Sequence, residues 1–237
     1  MTRTAFDHIP GLFVFDDYFT SAQCEAIVRG SLGLSERLEA FVTGNAEFKR
    51  IGIPQPEFVR SARHNLASDE SYTRAVLHEA GSRELRCEYF PRYGEDGHAL
   101  GYFRGNDNLP DFIHGPLLDG IRHTVEAEHL ASADQPLTWK LTMNFYRSVG
   151  GVVAGFPFHV DIPANGVVTM ILNTHREALF QIARGEVMQD VQLRVGSLLI
   201  LSGESRYEWK HRVLPQELKD SPAVGGIERV SLVLGFQ

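Results

Sequence analysis

The chain has 237 residues, 43% of them hydrophobic, and a formal net charge of -7. This is enough apolar material for a substantial core, and the acidic balance argues against a general electrostatic grip on nucleic acid, which leans on clustered Lys and Arg. The opening MTRTAFDHIPGLFVF is not a charged region followed by an apolar run, and no apolar stretch is long enough to span a bilayer, so a cytoplasmic protein with no membrane partner is expected.

PGLFVFDDYF, residues 10–19, reads as a short strand and turn, after which Thr20 or Ser21 can cap a helix through AQCEAIVRGSL. Cys24 and Cys87 are too few and too unpatterned for a disulfide framework or a thiolate metal site, and read as reduced packing residues. Scattered Gly and Pro over residues 42–68 predict loop and short extended pieces, and PRYGEDGHALGYFRGNDNLP makes residues 81–110 loop-rich as well. Arg60, Arg63, Arg74, Arg83, Arg86 and Arg92 are interleaved with acidic residues, the pattern of a mixed solvated face. A second helix is expected from near Pro110 to about Leu130, bent or restarted at Pro116.

From Leu137 the character changes. Eight short β-rich runs follow: WKLTMNFYR, PFHVD, GVVTMILNT, ALFQIAR, EVMQDVQLRV, GSLLILSG, RYEWKHRV and ERVSLVLGF. Eight strands is the count of a double-sheet jelly roll. No repeat or linker separates the halves, so one domain over residues 1–237 is expected. The fold class is α+β: a double-stranded β-helix (jelly roll) over residues 137–237, with an N-terminal helical and lid region, residues 1–136, whose helices pack on one sheet.

Within PFHVD, period-two alternation points His159 and Asp161 the same way, able to converge on one metal ion. His175 and His211 are the candidates for a third ligand. His175 sits in a turn-like NTHRE, whereas His211 lies in a late strand of the kind that returns beside an early one, and is preferred. A two-histidine, one-carboxylate set suits Fe(II), because it leaves positions open for other ligands. In the last run Arg229 and Ser231 share a face. A buried Arg must be paired, and its planar fork matches a carboxylate, from a bound molecule or from an internal Asp or Glu. Asn144 and Tyr146, also two apart, are further polar groups that alternation aims at one spot.

With N-x-Y (Asn144, Tyr146), H-x-D (His159, Asp161), GSLLILSGESRYEWKH ending in His211, and R-x-S (Arg229, Ser231), the chain resembles the AlkB family of Fe(II)- and 2-oxoglutarate-dependent dioxygenases. The likeness covers most of the chain, least clearly residues 35–105. It implies that His159, Asp161 and His211 bind iron and are the catalytic centre, and that Arg229, helped by Ser231, Asn144 and Tyr146, holds 2-oxoglutarate. It also implies oxidative hydroxylation or demethylation using O2. Two positions depart from the family pattern. Gly235 stands where its repair enzymes usually carry a second arginine, and Pro163 where they carry an acidic residue that helps read the damaged base. These departures, with the acidic charge, leave the substrate open between alkylated nucleic acid and a protein or small molecule. Gly235 is also the main support for an alternative, a non-catalytic jelly roll whose metal is structural. A monomer is expected.

Two further groups bear on the substrate side. Tyr207 and Trp209 would share the face of His211 if their strand were regular, as core or as pocket wall. The resemblance places a substrate-covering lid around GEDGHALGY; there His98 reads as a surface residue, with contact to substrate the less favoured alternative, and Tyr89, Phe90, Tyr93, Tyr102 and Phe103 either stack on a flipped base or, the favoured reading, pack the lid onto the jelly roll.

Overall fold

The period-two runs fold as strands, and in the computed structural model they sort into two antiparallel sheets. The structure describes residues 1–44, 73–79, 81, 83–93, 97–218 and 224–237. The N-terminal half contains β1 (Thr2–Ala5), β2 (Leu12–Asp16), α1 (Ser21–Gly44), β3 (Thr73–His78), β4 (Glu84–Tyr93), β5 (His98–Arg104) and α2 (Pro116–Ala127). The C-terminal half runs β6 (Trp139–Val149), β7 (Val152–Val153), β8 (Phe156–His159), β9 (Val168–Asn173), β10 (Ala178–Arg184), β11 (Val187–Leu193) and β12 (Ser197–Leu201). It ends with α3 (Gly203–Tyr207), β13 (Lys210–Val213), β14 (Gln216–Glu217) and β15 (Val224–Phe236).

The eight predicted runs divide four and four. β12, β9, β15 and β6 are neighbours in the larger sheet, while β11, β10, β13 and β8 make up the smaller one. This is mostly antiparallel β structure of jelly-roll type. It is richer in strands than the expected class, because β1 and β2 extend the larger sheet at one edge and β5, β4 and β3 at the other.

Alternation separates two apolar layers. Phe145, Met143 and Leu141 of β6, Val230, Leu232 and Leu234 of β15, and Met170 and Leu172 of β9 point to the outer face of the larger sheet. There they share one cluster with Ile27, Leu34 and Leu38 of α1 and Ile121 and Val125 of α2. The opposite face, carrying Val14, Ile171, Leu199 and Leu201, packs on Phe180, Ile182, Val191 and Leu193 of the smaller sheet. Burying each such side chain contributes about 1.5–3 kcal/mol relative to exposure.

Several local expectations are corrected. Residues 81–110 hold two strands in place of a loop, and the second is flanked by Gly97 and Gly105, whose φ values of +74° and +91° suit glycine. The first helix runs on to Gly44, and its start carries a capping box. Thr20 Oγ1 accepts from the Gln23 amide at 3.3 Å, and Gln23 Oε1 accepts from the Thr20 amide at 2.9 Å. The second begins at Pro116, where the missing N–H costs nothing. RYEWKHRV is a strand only from Lys210, because residues 203–207 form α3, closed by a Ser202–Ser205 capping box. Cys24 and Cys87 are both free and buried. No helix among the described residues is long and apolar enough to cross a membrane. The expected loop over 45–68, including Arg60 and Arg63, lies outside the described residues, as do the side chains of Arg74, Arg92 and Tyr93.

Candidate metal centre and adjoining cavity

β8 and β13 pair so that His159 and His211 are direct cross-strand partners, with ring centroids 4.2 Å apart. β8 ends at His159, so Asp161 lies just past the strand, in the link to a 3-10 turn at Pro163–Asn165. The H-x-D convergence thus needs only the last residue of the strand and an extended link. His159 Nε2 is 3.9 Å from Asp161 Oδ1, His211 Nε2 is 3.9 Å from Asp161 Oδ2, and one ligand atom from each residue lies within 4.8 Å of the others. His175 has no place in this cluster.

The charge states fit a cation. Burial lowers the pKa of His159, and burial and the neighbouring His159 take His211 down to about 3, so both imidazoles are neutral and have lone pairs to offer. For Asp161 burial pushes the pKa up, but His211, His159, Arg206 and a hydrogen bond from Thr169 outweigh it, and the carboxylate stays ionised below its usual range. The Pro157 carbonyl lies 2.8 Å from His159 Nδ1, which fixes that proton and turns Nε2 to the site. Asp161 accepts from Thr169 Oγ1 at 2.8 Å and Asn165 Nδ2 at 3.3 Å. Two neutral imidazoles and an anchored carboxylate are a fitting donor set for a divalent transition metal.

Beneath the Asp161 turn lies Arg206, fully buried. Its guanidinium donates to the carbonyls of Asp161 at 2.6 Å, Ile162 at 2.5 Å and Gly166 at 3.1 Å. α3, which carries it, is itself held to the N-terminal turn: Ser202 donates through its amide and hydroxyl to Gly11, and Ser205 through its amide to Pro10. Arg206 and Asn165 carry no sequence signal of their own. Thr169, a lone hydroxyl in the apolar run VVTMILN, does.

A cavity of about 90 Å³ opens beside the cluster. Its floor is the inner face of the larger sheet, where register sets three rows of cross-strand neighbours across β5, β6 and β15: His98, Tyr146 and Arg229; Leu100, Asn144 and Ser231; Tyr102, Thr142 and Val233. All of these except Arg229 line the cavity, with Phe156, Ile171 and Val213 among the apolar walls. Arg229 is 4% exposed, and its guanidinium carbon lies 4.0 Å from the centre of the Tyr146 ring. Among the described residues it donates to the Ala154 carbonyl at 3.2 Å and has no carboxylate partner, and its Nε is buried without an acceptor. The internal Asp or Glu allowed by the sequence is therefore not found there. Burial lowers its pKa, partly offset by Tyr146, which leaves a cation with unused donors.

The lid residues divide. Tyr89, Phe90 and Phe103 are core residues, while Tyr102 lines the cavity. His98 is 3% exposed and lines the cavity, which overturns its reading as a surface residue. HALGYFR is buried on both faces and has no polar–apolar alternation, and the glycines flanking it made it read as loop. Tyr207 is 49% exposed and Trp209 is buried in the inter-sheet core, so neither lines the cavity.

Fold and site together define a jelly-roll protein with a His-Asp-His cluster at the mouth between its sheets. No protein-family model and no curated protein matches the sequence. Among solved structures the fold is similar to that of OsALKBH1, with 14% identity over 98% of this chain and 99% of that one and a TM-score of 0.51. A Pseudomonas putida prolyl-4-hydroxylase aligns at 13% identity over 94% and 90% of the two chains, TM-score 0.46. IDO from Bacillus thuringiensis aligns at 16% over 60% and 74%, TM-score 0.43.

Proposed function

We propose that the chain is an Fe(II)- and 2-oxoglutarate-dependent dioxygenase of the AlkB type. His159, Asp161 and His211 would hold the iron, and Arg229, with Ser231, Asn144 and Tyr146, the cosubstrate. The observation that carries this reading is a buried guanidinium, without a carboxylate partner among the described residues, on the sheet face that floors the cavity of a His-Asp-His cluster. A buried cation of that kind is stabilised by an incoming anion, and a carboxylate matches its fork.

Iron, when bound, supplies the activation of dioxygen that couples decarboxylation of 2-oxoglutarate to succinate with insertion of one oxygen atom into a C–H bond. The protein's part is positioning. Arg229 receives the far carboxylate, Ser231 and Asn144 add donors from the next row, and Phe156, Ile171 and Val213 keep bulk water from the reacting atoms. Thr169 and Asn165 hold Asp161 in place as an ionised ligand. Hydroxylation and demethylation are one reaction here, since a hydroxylated N-methyl group leaves as formaldehyde. The net charge of -7 and Pro163 favour a protein side chain or small molecule over alkylated nucleic acid as the substrate.

The test is succinate release by Fe(II)-loaded protein with 2-oxoglutarate and O2, with and without an oligonucleotide bearing N-methylated bases. Release that the oligonucleotide leaves unchanged fits the reading, stimulation by it moves the substrate to nucleic acid, and no release under any condition overturns the dioxygenase. His159→Ala and Asp161→Ala are expected to lose turnover and remain folded; a structural metal would instead show itself as lost stability.

A further inference from the structure

His98 is the one histidine on the cavity floor among the described residues, and neither the metal cluster nor the carboxylate site uses it. It comes from β5, outside the eight jelly-roll strands, yet register sets it beside Tyr146 in the row that ends in Arg229. Its ring lies flat on the Tyr146 ring, with centroids 4.3 Å apart and planes 1° from parallel, and meets the edge of Phe156 at 5.6 Å. Its Nε2 is 3.0 Å from Asn144 Oδ1. An amide oxygen only accepts, so Nε2 carries the proton and donates.

We infer that His98 is a positioning residue for the cosubstrate, acting through Asn144. By engaging Oδ1 it fixes which way the Asn144 amide faces. The group left to the cavity is then Nδ2, with two N–H donors, beside the Ser231 hydroxyl and one row from Arg229. Rotated by half a turn, the same amide would present an oxygen to an arriving carboxylate and repel it. The stack on Tyr146 holds the imidazole in the plane that makes this bond, and the same Tyr146 ring lies beside the Arg229 guanidinium. One histidine therefore orders two of the four residues assigned to the cosubstrate, and the ligand it serves is a dicarboxylate. This rests on the proposed dioxygenase reading.

The experiment is calorimetric binding of 2-oxoglutarate to Mn(II)-loaded protein without oxygen, for wild type, His98→Phe, Asn144→Ala and the double variant. Phe keeps the ring stack and loses the donor, so Kd is expected to rise about tenfold, one hydrogen bond's worth, while Mn(II) affinity does not change. If His98 acts through Asn144, the two effects are not additive, and His98→Phe changes little once Asn144 is Ala. Wild-type affinity in His98→Phe, or full additivity, overturns the inference. Failure of wild type to bind 2-oxoglutarate overturns the dioxygenase reading instead. Should His98→Phe not fold, the ring nitrogen resonances of wild-type His98 decide: a proton on Nε2 is expected, and a proton on Nδ1 alone refutes the inference.

Discussion

Arg206→Met tests how the metal centre is held together. The side chain is fully buried and donates three hydrogen bonds, at 2.5–3.1 Å, to the carbonyls that flank the Asp161 turn. Methionine fills much of the volume, so the loss is chiefly polar. A hydrogen bond from a charged donor contributes about 1.5–3 kcal/mol, and an abandoned buried carbonyl costs about 1–3 kcal/mol. Against these stands the desolvation of the guanidinium, which the wild-type protein already bears and methionine avoids. Three bonds less that penalty leave an expected loss of about 3–5 kcal/mol, among the larger single-residue effects. The assay is urea unfolding of metal-free protein, with Co(II) affinity measured separately below the transition. Co(II) affinity is expected to fall about 10–100-fold, as for other residues that orient a metal ligand. A stability loss under about 1 kcal/mol would refute the claim that the three bonds hold the turn, since that is the size of one ordinary hydrogen bond.

Arg229→Met is expected to raise the 2-oxoglutarate KM by about 100-fold, the scale of a buried ion pair, with metal affinity unaffected; an unchanged KM would mean the carboxylate docks elsewhere. Gly235→Ala is expected to destabilise the fold by about 1–3 kcal/mol and to weaken Co(II) binding, because its Cβ would stand 1.9 Å from the Asn165 carbonyl oxygen; unfolding midpoint and metal titration check both. His98 and His211 each have a pKa of about 3 in the fold, against 6.5 in the unfolded chain, and burial is the main cause. The unfolded state then binds more protons, so stability is level above pH 6.5 and falls as pH drops below it, by about 1.4 kcal/mol per unit for each group. Metal-free protein is expected to be about 2–3 kcal/mol less stable at pH 5.5 than at 7.5, with His98→Phe losing half that dependence in the same urea titrations.

The jelly-roll strands were legible because each run is short and β-rich, alternating or continuously apolar, and bounded by turn residues, so that composition and spacing agree. The His-Asp-His cluster was legible for a narrower reason: His and Asp two apart, ahead of a histidine in a late strand, survive errors in strand ends. β8 stops two residues before Asp161, and the convergence holds regardless. α3 escaped notice because RYEWK alternates well enough for a strand, and what makes it a helix is a serine pair, Ser202 and Ser205, whose bonds to residues 10 and 11 are long-range. β4, β5 and His98 were hidden by the turn residues beside them. Arg206 is the hardest case. Nothing in RYEWK sets this arginine apart, and only the fold shows three carbonyls converging where it sits.

The two positions at which the sequence departs from the AlkB pattern, Pro163 and Gly235, meet where a small turn packs against the end of β15. Pro163 opens the 3-10 turn whose Asn165 side chain donates to Asp161. That turn presses on the end of β15: a Cβ at Gly166 would meet the Phe236 carbonyl oxygen at 2.3 Å, and one at Gly235 would meet Asn165. An arginine at 235 is therefore incompatible with this turn in its present position. Glycine at 235 thus follows from how closely the turn that buttresses Asp161 packs against β15. At the opposite end of the same floor His98, Tyr146 and Arg229 share a row. On the proposed reading, Arg229 and an Asn144 amide ordered by His98 would take the cosubstrate without an additional arginine. On the same proposed reading, the cosubstrate pocket includes β5, a strand that the eight-strand jelly roll does not contain.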